Sequence, residues 1–144
     1  MGAQQVEPSC GLIDASDRAL AGARRVGYYG GIITHTVWEQ APPSLKTVRT
    51  VLYALEAVVQ AEAIARQASQ EALALFWEGD GHPRTPERAM LYETAVHCAH
   101  AAANNKAQAV YTTLAAIQAF EWWVGGALAA DAADRLDKIL RSSP

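Results

Sequence analysis

Two stretches of helical pattern each carry a carboxylate on a face that otherwise reads as core. In the first, an apolar stripe running on to Leu73, Phe76 and Trp77 has Glu62 at its centre, with Arg66 and Ser69 beside it. In the second, Glu121 falls on the line of Val110, Leu114, Ile117, Val124 and Leu128. A carboxylate taken out of water must be paired, hydrogen-bonded or protonated, because bare burial costs several kcal/mol. Glu62 and Arg66 stand four apart in the favourable acid-before-base order. The spacing therefore predicts an ion-pair network of Glu62, Arg66 and Glu121 that fixes helix register. It also allows faces open to solvent, or a polar pocket that receives a ligand or a partner's charge. Trp122 and Trp123 cannot both face inward on one helix, so one of them marks a second contact surface.

A third polar line consists of Glu93, His97, His100 and Asn104, at i, i+4, i+7 and i+11 on one helix face. Glu and His four apart can reach a common ion, and imidazole suits zinc, copper or iron. Glu93, His97 and His100 are thus the metal-ligand candidates. The line nevertheless lies opposite Leu91, Cys98 and Ala102, and the doubled Glu-x-x-His of di-iron bundles does not occur. A solvated or partner-facing stripe is the expectation. Phosphate-binding loops, dinucleotide-binding glycine patterns, His-Glu-x-x-His, Cys-x-x-Cys and nucleophile elbows are all missing. No catalytic residue is assigned, and no cofactor is expected. Cys98, on the small-residue side of its helix, reads as an inert thiol.

The elements that would position these groups follow from composition and breakers. Of 144 residues, 30 are alanine, the strongest helix former and a poor strand residue. An all-α, up-and-down bundle of four to five alanine-rich helices is predicted. Residues 1–13 lack periodicity and read as a flexible N-terminal arm, leaving residues 14–144 as a single domain. A first helix is expected from about Ser16 to Gln40, capped by Asp14 or Ser16. On it Ala19, Ala23, Gly27 and Gly31 form a smooth stripe suited to close packing or, alternatively, to a ligand cleft over the glycines. Pro42-Pro43 ends it. A second runs from Ser44 to Trp77 on Leu45, Val48, Val51, Leu52, Leu55, Val58 and Val59. After the breakers of residues 79–86, a third starts with Thr85 as N-cap and Pro86 in first position. It ends near Asn104 or continues into a fourth, about Lys106 to Ala130. A short last helix holds Leu136, Ile139 and Leu140.

The global numbers exclude several classes of partner. Fifteen acidic against twelve basic residues provide no cationic field for nucleic acid. The most membrane-like stretch, Ala107 to Ala130, carries Gln108, Thr112, Thr113, Gln118 and Glu121, which are costly in lipid. Two cysteines without a preceding secretory signal point to a reduced, cytoplasmic setting.

Around the central breaker the chain reads Leu73-Ala74-Leu75-Phe76-Trp77-Glu78, then Asp80-Gly81-His82-Pro83-Arg84, then Glu87-Arg88-Ala89. Over about residues 60–130 this order resembles a helical family of bacterial immunity proteins, the immunity-five-like group. Ala99-His100-Ala101-Ala102-Ala103 and Gly126-Ala127 are similar to that group's alanine-rich bundle. The chain departs from it at His82, where an arginine is expected. The resemblance implies a protein that binds and neutralises a toxin without catalysis. The sequence thus predicts a non-enzymatic interaction module, an immunity or accessory protein that binds a protein partner or forms a homo-oligomer. The alternative is a bundle that binds a small molecule or metal through buried carboxylates.

Overall fold

The computed structural model describes residues 10–39, 44–77, 84–124 and 126–142, with the side chains of 122–129 left aside. Four helices follow one another: α1 (Cys10–Glu39), α2 (Leu45–Trp77), α3 (Pro86–Val124) and α4 (Gly126–Arg141). The described residues contain no strand. The architecture is the expected all-α, up-and-down bundle. Of its two middle helix starts, one has Thr85, the predicted cap, and Ser44, expected as the start of its own helix, caps the other. Ser44 Oγ accepts the Thr47 amide at 3.2 Å, and Thr85 Oγ1 accepts the Arg88 amide at 3.2 Å.

Several expected boundaries differ, and at Asn104-Asn105 the uninterrupted one of the two readings holds. The helix expected from Ser16 begins at Cys10, so residues 10–13 of the expected arm belong to α1, and residues 1–9 lie outside the described part. Leu12 is fully buried against a cluster with Ala72, Phe76 and Ala95, and that burial extends the helix past the cap signals. Ser16 is itself buried, and Asp14 pairs instead with Arg18 at 2.8 Å. At Asn104-Asn105 the chain does not break. Both side chains are exposed there, and asparagine's modest helix penalty of at most about 0.7 kcal/mol is carried by flanking alanines. The third and fourth expected helices are therefore one, which stops at Val124 rather than Ala130. The last helix starts at Gly126, before Asp131.

Successive helices run antiparallel. At one end Leu12, Ala15 and Ala19 of α1 meet Ala68, Ala72 and Phe76 of α2 and Ala95 of α3. The other end holds the larger side chains, among them Val26, Ile33, Val51, Leu55, Ile117 and Phe120. Ala132 and Leu136 bring α4 onto this cluster, so that α4 packs on α2 and α3 but not on α1. The bundle's middle is a waist of small residues. Gly22 of α1 lies there against Ala61 and Ala65 of α2.

Of the segment around the central breaker, the described residues pack the end of α2 against the start of α3. Arg84 donates to the carbonyls of Phe76 (3.3 Å) and Trp77 (2.8 Å), and the buried Arg88 donates to that of Leu75 at 3.2 Å. Two guanidinium groups thus satisfy the terminal carbonyls of α2 and oppose its dipole. Arg84 also lies over the Trp77 ring at 4.5 Å, and Phe76 stacks on Tyr92 with centroids 5.0 Å apart. The described part of the motif serves the fold.

Candidate functional site

The three long helices leave three grooves, and each has a distinct character at the waist. In the α2/α3 groove the buried Glu62 carboxylate, 4 % exposed, accepts from Arg66 Nη1 at 3.0 Å and from Lys106 Nζ at 3.2 Å. Both bonds end on Oε1: Arg66 pairs with Glu62 within α2, and Lys106 ties α3 to it. Ala103, Ala107 and Val110 floor a shallow depression beside this cluster, of about 550 Å³. The expected network is present in part: Glu62 and Arg66 belong to it. Glu121 does not. It is exposed on α3 next to the fully buried Phe120, because the buried side of that helix runs through Thr113, Ala116, Ile117 and Phe120. Lys106 takes the place assigned to it. Its four-carbon stem lets a partly exposed residue reach a buried acid.

In the α1/α3 groove Gly27, Gly30, Gly31 and Thr34 face Asn105 and Gln108 across a cleft of about 220 Å³. This corrects the smooth-stripe expectation. A Cβ on Gly27 or Gly31 would meet nothing within 4 Å, whereas one on Gly22 would stand 2.8 Å from the Ala61 carbonyl oxygen. The close approach runs through Ala15, Ala19 and Gly22, and the later glycines are surface.

The α1/α2 groove carries the aromatic residues. Arg25 and Tyr29 form one wall and Tyr53, Glu56, Gln60 and Ile64 the other, around a cavity of about 330 Å³. Tyr53 is 75 % exposed, and Tyr28, set edge-on to Tyr29 at 5.1 Å, is 67 % exposed. Arg18 and Glu71 bridge the same two helices beyond the groove. These tyrosines were not singled out from the sequence. Their signal was present as aromatics off the apolar stripe of α2 and alongside the arginines of α1.

The metal candidates do not assemble. Glu93, His97 and His100 are exposed along α3, and among the described residues no three His, Cys, Asp or Glu side chains are placed to hold an ion. The side chains of Trp122 and Trp123 lie outside the described residues. Among described residues, no helix is long and apolar enough to cross a membrane.

Cys98 is half-buried on α3. Burial pushes its thiol above the ordinary value, and the nearby Arg24 charge only partly offsets this. A raised value leaves less thiolate at neutral pH, so Cys98 is held below a free cysteine's reactivity. Alkylation followed by peptide mass spectrometry should therefore modify the exposed Cys10 before Cys98. Equal rates for the two would show that burial does not protect Cys98.

No protein-family model, curated protein or solved structure matches the chain.

Proposed function

We propose that the chain is a non-catalytic interaction module whose binding face is the α1/α2 groove. One observation carries this reading. Tyr53 stands largely exposed on a groove that also holds Tyr29, Arg25 and Ile64. Tyrosine and arginine are enriched at protein interfaces and among their energetic hot spots, since each combines broad contact area with a polar end. The proposal includes the immunity or accessory role implied by the resemblance: neutralising a toxin by contact requires a surface and no reacting group.

The α2/α3 cluster fits a structural part better than a ligand site. Glu62 already has two cations on it, and these three charges, which line the shallow depression with Ala103, Ala107 and Val110, neutralise one another in place. A site built for a ligand would present convergent polar groups in a deeper concavity.

Affinity capture from the native host, read by mass spectrometry, tests the proposal. A protein retained by the wild-type chain should be lost with Tyr53→Glu and kept with Glu121→Gln. Equal retention by all three would overturn the choice of face.

A further inference from the structure

We infer that the occupant of the α1/α2 groove is a second copy of this chain, docked about a two-fold axis. The inference rests on reading the chain as an interaction module and names its partner. A two-fold interface uses one patch twice, so the patch must complement itself: where residue i meets residue j, j meets i on the other side. The groove has that property. Its α1 wall carries a cation, Arg25, and its α2 wall an anion, Glu56, with Tyr29 and Tyr53 between them. Among the described residues, neither charge is in an ion pair within the chain, although both line the same groove. A two-fold operation through the tyrosines brings Arg25 toward Glu56 of the partner subunit and repeats the pair on the other side.

The fold leaves this side open. The inner sides of α1 and α2 are filled by α3, and α4 covers α2 and α3 without touching α1. An antiparallel helix pair with an uncovered face can stack on its two-fold mate as the four-helix layer of a dimer. A strongly charged foreign partner would select one sign on the groove, whereas the two walls here balance. The chain's net charge of −3 also sets up little repulsion between copies.

Sedimentation equilibrium on the full chain over a wide concentration range is the test, using wild type, Arg25→Glu, Glu56→Arg and the double exchange. The wild type should form a dimer. Each single reversal should weaken it at least about tenfold, and the double exchange should recover most of that loss. Tyr53→Glu should leave a monomer. All of these positions are on the surface, so circular dichroism should report unchanged helix content. A wild-type chain that stays monomeric overturns the inference, as does a dimer indifferent to these substitutions. A monomer that still loses a captured protein on Tyr53→Glu refutes the self-association alone and leaves the proposed binding face standing.

Discussion

Replacing Gly22 by alanine should destabilise the bundle by about 1–3 kcal/mol, although the same change in an open helix stabilises it. The added Cβ would stand 2.8 Å from the Ala61 carbonyl oxygen and 3.0 Å from both the Ala65 amide nitrogen and its Cβ. Two of these three neighbours are backbone atoms of α2, so relief requires the helices to separate rather than a side chain to turn. Separation also opens the contacts of Ala15 and Ala19, since all three lie on one side of α1. Gly27→Ala and Gly31→Ala meet open space and should each gain about 0.5–1 kcal/mol from helix propensity. Thermal unfolding of the three variants checks the opposite signs. Stabilisation by all three would mean that α1 and α2 do not approach at Gly22.

The largest electrostatic effect is expected from stripping Glu62 of its cations. Arg66→Ala and Lys106→Ala together should cost about 3 kcal/mol or more, because a carboxylate left unpaired in the interior cannot recover its hydration. Each single change should cost much less than half of that, since the remaining cation stays on Oε1. Removing all three charges as Glu62→Leu, Arg66→Met and Lys106→Met should bring stability back to near the wild-type level. Paired burial is close to break-even against a well-packed apolar core, and the two introduced methionine side chains are flexible enough to fill the space. Denaturant unfolding of the four variants measures this directly. Additive losses from the two single changes would show that Glu62 is better hydrated than its 4 % exposure indicates.

How much of this could be read from residues alone depended on contrast between neighbouring positions. On α2, large residues alternate sharply with polar ones, and the buried set Val48, Val51, Leu52, Leu55, Val58 and Val59 is the first part of the stripe read from the sequence, whereas Leu73 and Trp77 at its far end are exposed. The cap Thr85 was equally plain, since it sits among breakers, and Ser44 marked a helix start directly after Pro42-Pro43. On α3 the contrast fails. Ala95, Ala99, Ala102 and Ala109 are buried while Ala101, Ala103 and Ala107 are exposed, and alanine looks the same in either place. A stripe drawn there had to lean on Val110 and Leu114, and Leu114 is on the outer side. That small rotation turned Glu121 inward in the reading and outward in the fold.

Lys106 was hidden for another reason. A buried acid calls for a cation, but only the helix pairing shows which one lies within reach across a sequence separation of 44 residues. The tyrosines of the α1/α2 groove were hidden because exposure itself is a tertiary property. An aromatic off one helix's stripe can be covered by a neighbour, and here α4 goes to α2 and α3 instead. The metal line showed the reverse. Its spacing was suggestive within one helix, yet no second element supplies the remaining ligands among the described residues.

The central claim is that the α1/α2 groove is the face covered when this chain does its work. Tyrosine nitration mapped by mass spectrometry, on the chain diluted to monomer and on its assembled form, whether self-associated or partner-bound, tests it most directly. Tyr111 provides an internal reference, because it is as exposed as Tyr53 but lies on the outer side of α3. In the assembled form Tyr53 should be protected while Tyr111 reacts as before. Protection of Tyr111 with Tyr53 still reactive would contradict the account.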